Sequence, residues 1–268
     1  MTKASDHKSS SITKLLYIGD SGTGKTTSLC SLVQAGYRLR IWDFDNLLDS
    51  LIGMVRYKCP EKLDQIEFMS FRDKMKATPL GPVVDGQPIA FVNALRALDK
   101  WDDETKPAEW GEKTVCVIDS MTTMARAAYW WAKGMQGASS FAEGVSMKGY
   151  NPQQSFFTAQ QAFMNVIALL TSASFNCNVI AIAHVKYMEQ DGVTKGFPVA
   201  IGSAISPEIP SYFPSVALAT KANGPEPKRT IRTRSTNMID LKNPKAFDMA
   251  VELPMETGLA DFFKAVQS

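Results

Sequence analysis

The chain has 268 residues, 45% hydrophobic and 21% charged, with a formal net charge of +2. That size and balance are ordinary for a globular protein and suit one large α/β domain, or one domain with a small appendage. The small charge is no argument for a nucleic-acid partner, so any basic surface has to be local.

Met1 to Ser11 is polar and rich in Ser and Lys, without the apolar core of a signal peptide. It is expected to be a disordered tail (1–11), with 12–268 as a single domain, because neither repeat nor linker interrupts the rest. No apolar run approaches membrane-spanning length. Cys30, Cys59, Cys116 and Cys177 lie far apart without a C-x-x-C pair. Neither a disulfide framework nor a zinc site follows, and a reducing cytoplasm is the expected compartment.

Leu15-Leu16-Tyr17-Ile18 reads as a short buried strand, and Thr27 to Ala35 as a helix stopped by Gly36. Between them, Gly19-Asp20-Ser21-Gly22-Thr23-Gly24-Lys25-Thr26 satisfies G-x-x-x-x-G-K-[ST] at every fixed position, followed by Thr27. Strand, glycine loop and helix together form a phosphate cradle. Glycines let backbone N–H groups approach the phosphates, and the helix start adds its partial positive charge. Lys25 is expected to reach the β- and γ-phosphates of ATP and Thr26 to ligate Mg²⁺. A dinucleotide reading fails because the third glycine of G-x-G-x-x-G is missing.

Leu39 to Asp45 reads as a second strand and Ile66 to Phe71 as a third. Residues 72–88, with Pro79, Gly81, Pro82, Gly86 and Pro88, read as a loop. Ile89 to Trp101 has helical apolar spacing. Thr114 to Asp119 is a continuous apolar run closed by aspartate, as in a strand buried on both faces. Met121 to Lys133 and Pro152 to Phe175 read as helices flanking a Gly/Ser/Lys-rich loop, 134–151. Asn178 to His184 is another buried strand, and 186–211 shows little periodicity. Ser215 to Lys221 and Arg229 to Ser235 then read as strands around Asn223-Gly224-Pro225.

Asp119 at its strand end is the expected second Mg²⁺ anchor. The next residue is Ser120 rather than the glutamate that often polarises the attacking water, so that carboxylate has to come from elsewhere. Asp43 and Asp45 end the second strand, and in an extended chain both point the same way. Asp45 is the candidate catalytic carboxylate, with Lys25.

These motifs resemble the RecA family of recombination ATPases, most closely small phage-encoded, core-only members linked to recombination and single-strand annealing. The resemblance rests on Gly24-Lys25-Thr26-Thr27, Asp43-Phe44-Asp45 in place of Asp-x-Glu, and Val117-Ile118-Asp119-Ser120, and spans roughly residues 12–240. It implies a RecA-like P-loop fold: α/β, with a mainly parallel central sheet flanked by helices and a C-terminal antiparallel extension. It implies His184 as γ-phosphate sensor and Arg234, then Arg232, as trans-acting arginines reaching a neighbour's nucleotide. It also implies a homo-oligomer, ring or filament, acting on single-stranded DNA, with a single-strand-binding or annealing protein as a further partner. Lys148, Tyr150, Lys195 and Phe197 are the candidate DNA contacts, since single strands need cations and aromatic faces. Rival readings are an ATPase that loads or remodels a protein and a P-loop small-molecule kinase.

Overall fold

A computed structural model of the chain describes residues 11–79, 81–135, 151–190, 192–222, 224 and 227–268. The expected tail, save Ser11, and Lys148 and Tyr150 lie outside these residues. Along the chain run β1 (Lys14–Gly19), α1 (Lys25–Ser28), α2 (Cys30–Gln34), β2 (Arg38–Asp43), α3 (Asp49–Lys58) and β3 (Ile66–Ser70). A hairpin of β4 (Met75–Thr78) and β5 (Gly81–Val84) precedes α4 (Ala90–Asp99), β6 (Gly111–Asp119), α5 (Met121–Met135), α6 (Pro152–Thr171) and β7 (Cys177–Ala183). A second hairpin, β8 (Val185–Gln190) and β9 (Val193–Pro198), follows. The chain continues through α7 (Ile209–Tyr212), β10 (Ser215–Lys221), β11 (Arg229–Arg232), β12 (Glu252–Pro254) and α8 (Gly258–Gln267).

The central sheet has the order β12-β11-β10-β1-β7-β6-β2-β3. The run from β10 to β3 is parallel, and β11 and β12 add antiparallel strands at one edge. Alternation decides which way each side chain packs. Leu16 and Ile18 face a core shared with Phe91, Met124 and Phe163 of α4, α5 and α6. Leu15 and Tyr17 face the opposite core, with Leu32, Leu51, Val55 and Phe262 of α2, α3 and α8. Covering both faces explains why β1 and β7 are buried at every residue and read as continuous apolar runs. Each fully buried Leu or Phe contributes roughly 1.5 to 3 kcal/mol against the entropy of ordering the chain.

This architecture confirms the expected α/β class and sheet, and it differs locally. The segment 72–88 contains the β4–β5 hairpin, and 186–211 contains the β8–β9 hairpin. Both are two-stranded ribbons off the main sheet, so neither carries the apolar alternation that one buried face imposes. Gly192 at φ 77° belongs to an Asp-Gly dipeptide, the available hairpin signal. The helix after the glycine loop is broken into α1 and α2. Strand β2 ends at Asp43 and β11 at Arg232, two and three residues before the expected ends. Helix α8, beyond the last element expected from the sequence, buries Leu259, Phe262 and Phe263 at helical spacing.

Candidate nucleotide site

The parallel strands β1, β2, β6 and β7 deliver their carboxyl ends to one side of the sheet, where the candidate residues meet. Gly19 closes β1 against β10. A Cβ there would lie 2.6 Å from the Ala219 backbone oxygen, so only glycine lets the loop leave the sheet. Gly22 and Gly24 have φ of 76° and 91°, which turns the loop toward α1. The Thr23 hydroxyl donates to the Asp20 carbonyl at 2.9 Å and pins the turn. No side chain caps α1, so its first backbone N–H groups remain available to an anion.

Lys25 is buried and its ammonium donates to the carbonyls of Gly19 at 2.8 Å and Asp20 at 2.9 Å. Burial pushes its pKa down, opposed by the nearby carboxylates of Asp119, Asp20 and Asp45. The Thr26 hydroxyl donates to Asp119 Oδ2 at 2.7 Å. Burial pushes the Asp119 carboxyl up to about 6 against the Thr26 hydrogen bond and Lys25, with the negative charges of Asp45 and Asp43 adding to the rise. A buried carboxyl short of cations beside a threonine hydroxyl offers the oxygen donors that Mg²⁺ takes. The pair therefore fits the ion, with phosphate and water oxygens completing its shell.

Asp43 and Asp45 part company after β2. Asp43 is buried, accepting from the Asn46 backbone N–H at 2.7 Å and the Ser70 hydroxyl at 3.2 Å. Asn46, at φ 56°, is the left-handed residue of this turn. The expectation that both carboxylates share one face held for an extended chain, and the turn breaks it. Asp43 pins the turn, and the turn brings Asp45 to Ser120, whose hydroxyl donates to Asp45 Oδ1 at 3.1 Å. The Ser120 oxygen in turn accepts from the Thr123 backbone N–H at 3.2 Å. Ser120 thus holds the Asp45 carboxylate beside the end of β6.

His184 follows β7, which lies between β1 and β6 in the sheet. Burial and the positive charge of Lys25 hold its pKa below the ordinary imidazole value, against the pull of Asp45 and Asp20. The ring is therefore neutral at pH 7. Its backbone is tied to α5 and to the segment after β9. The His184 N–H donates to Thr122 Oγ1 at 3.0 Å, and the Val199 N–H donates to the His184 carbonyl at 2.8 Å. Thr122 Oγ1 also donates to the Val199 carbonyl at 3.3 Å. Thr122 on α5 therefore ties His184 to the base of the β8–β9 hairpin.

Gly22, Gly24, Lys25, Thr26, Thr27, Asp45, Asp119, Ser120 and His184 line one cavity of about 310 Å³, together with Arg229. A second cavity of about 430 Å³ adjoins it at Gly24, Thr27 and Arg229, and is lined further by Gln34, Met54, Tyr57 and Met255. Gly19, Asp20 and Thr23 form the loop without lining either cavity. The remaining candidates lie elsewhere. Arg232 pairs with Glu252 at 3.2 Å, and the Arg234 guanidinium donates to the carbonyls of Ala246 and Met249. Lys195 on β9 pairs with Asp240 at 2.8 Å, and Phe197 is half-buried. Thr122 was not singled out from the sequence, and neither Ser120 nor Arg229 was given a place in the site. Their roles depend on which strand end lies opposite, which no local pattern records.

Fold and loop together define the chain as a P-loop protein of RecA-like α/β architecture. A family model for the AAA domain matches residues 12–244, and the chain belongs to that family of ATPases. No curated protein matches the chain. Among solved structures it is similar to a RadB recombinase, at 17% identity and a TM-score of 0.45, over 84% of this chain and 81% of that one. It is also similar to the type III secretion ATPase EscN of enteropathogenic E. coli, at 13% identity and a TM-score of 0.43, over 85% of this chain. Another type III secretion ATPase aligns at 16% identity and a TM-score of 0.39, over 78% of this chain. The chain spans about half of each secretion ATPase, 48% and 52%. No helix among the described residues is long and apolar enough to cross a membrane.

Proposed function

We propose that the chain is a Mg²⁺-dependent ATP hydrolase that works as an oligomer on single-stranded DNA in recombination, annealing, repair or replication. The observation that carries the hydrolase reading is the meeting of Lys25, Thr26, Asp119, Asp45 and His184 on one cavity. The glycine loop binds the phosphates through backbone N–H groups, and Lys25 exchanges its carbonyl partners for phosphate oxygens. Thr26 and Asp119 hold Mg²⁺, which neutralises charge on the phosphates. Asp45, steadied by Ser120, orients the attacking water, and the neutral His184 ring reports the γ-phosphate. The larger adjoining cavity, with Met54, Tyr57 and Met255, takes the base and ribose.

The route to DNA runs through Thr122, because His184 and the β8–β9 hairpin share it. That hairpin carries Lys186, exposed Tyr187, Lys195 and Phe197. A shift at the γ-phosphate therefore has a hydrogen-bonded path to a basic, aromatic ribbon. In an assembly, Arg234 and Arg232 face the neighbour's nucleotide.

Turnover measured with and without single-stranded DNA at two salt concentrations tests this reading. The expected result is Mg²⁺-dependent hydrolysis, stimulated by DNA and less so at high salt. Asp45→Asn should lower kcat by roughly 100-fold or more while nucleotide still binds. Hydrolysis indifferent to DNA would leave a protein-directed ATPase, and phosphate transfer to a small acceptor would point to a kinase.

A further inference from the structure

Arg229 opens β11, the antiparallel strand that returns past the glycine loop. Its Nε donates to the Gly22 carbonyl at 3.2 Å. Its aliphatic stem covers Gly24 so closely that a Cβ there would lie 3.1 Å from Arg229 Cδ. It is one of only a few residues that line both cavities, so it stands where they join.

The charge balance of the smaller cavity gives this placement its meaning. Its lining carries Asp45 and Asp119, while Lys25 and Arg229 are its permanent cations. Lys25 turns toward Gly19 and Asp20, at the far end of the loop. Among the described residues no carboxylate pairs with Arg229. By contrast Arg232 on the same strand is paired with Glu252. One guanidinium N–H of Arg229 is used on the loop carbonyl, and the planar fork that remains is the donor set that binds phosphate bidentately.

We propose that Arg229 is a nucleotide-binding residue acting within its own chain, holding the α- and β-phosphates at the junction of the phosphate and base cavities. This rests on the nucleotide reading above and adds a second cation to it. It also gives the C-terminal antiparallel extension a task, since β11 pairs with β10, which borders β1, and so sets the guanidinium over the loop. The contact is with phosphates shared by di- and triphosphates, so it favours both equally and leaves the hydrolytic step to Asp45.

Titration of the full chain with MgATP, MgADP and inorganic tripolyphosphate tests the assignment, using wild type, Arg229→Ala and Arg229→Lys. Arg229→Ala should weaken all three ligands by roughly 10- to 100-fold, the loss typical of a charged hydrogen-bonded contact. Arg229→Lys should recover part of that loss, because a point charge replaces the fork. The nucleotide-free melting temperature should stay within about 2 °C of wild type, since Arg229 is exposed. Wild-type affinity for all three ligands in a folded Arg229→Ala protein overturns the assignment and leaves the nucleotide reading standing. If wild type itself binds neither nucleotide, both fall together.

Discussion

Arg40 and Asp119 sit on the neighbouring strands β2 and β6, only 4% and 5% exposed, in opposite kinds of company. Arg40 is surrounded by opposite charge. It pairs with Glu67 at 2.8 Å, with Asp103, and with Thr105 Oγ1 at 2.8 Å. It also lies 4.4 Å from the Trp110 ring centroid, beside Trp42 and Trp101. Against a burial penalty, hydrogen bonds from Thr105 and Arg40 hold the Asp103 carboxyl below its ordinary range. Asp119 instead keeps company with Asp45 and Asp43, and its carboxyl is pushed up. A paired buried charge is costly to break, whereas an under-neutralised carboxyl in a cleft is a candidate ligand site.

The comparison breaks if both sites respond alike to losing their charge. Arg40→Ala should cost about 3 kcal/mol of stability, since it strands two carboxylates and removes a cation over Trp110. That figure is held down by the partial exposure of Glu67 and Asp103, 35% and 42%. Denaturant unfolding measures it, and nucleotide affinity of the folded fraction should be unchanged. Asp119→Asn should act in the opposite direction, stabilising the metal-free protein by about 2 kcal/mol while abolishing Mg²⁺-dependent nucleotide binding. A melting temperature that falls in Asp119→Asn would erase the contrast.

The sign of the pH dependence sharpens the same point. The folded-state value of about 6 lies above the ordinary 3.8, so the folded protein binds this proton more tightly than the unfolded chain. Stability from Asp119 is therefore full below pH ~4 and is lost as pH rises toward ~6. Urea unfolding of metal-free wild type and Asp119→Asn across that window should show the gap between them widening with pH. Smaller still is Ser120→Ala, which frees Asp45 without removing it. Turnover should drop about tenfold with nucleotide affinity intact, about 1.4 kcal/mol of barrier. Unchanged kcat would mean that Asp45 needs no support. Lys106→Ala removes an exposed ion pair of 3.8 Å with Glu109, outside both regions. Its effect should be under about 0.5 kcal/mol, within the scatter of a denaturant melt.

How much was legible depended on how locally each feature is encoded. The phosphate loop occupies consecutive residues, so Gly19 to Thr27 could be read letter by letter. Buried parallel strands announce themselves as apolar runs, and that rule points to Asp119, the last residue of β6, and to His184, the residue after β7. The shared face expected of Asp43 and Asp45 was not legible as wrong, because β2 ends at Asp43 and a turn through Asn46 follows at once. The hairpins β4–β5 and β8–β9 escaped because each is short and half exposed, with only the end of one strand buried, too little to set a pattern.

By itself the sequence determined the chemistry that contiguous residues can carry: a phosphate cradle, a strand-end aspartate and an α/β alternation buried on both faces. Only the tertiary structure decided which side chains complete it. Ser120 reaches Asp45 across 75 positions, and Arg229 reaches Gly22 across 207. Sheet order brings such residues together, and sheet order comes from packing both faces at once, which no short window of sequence expresses.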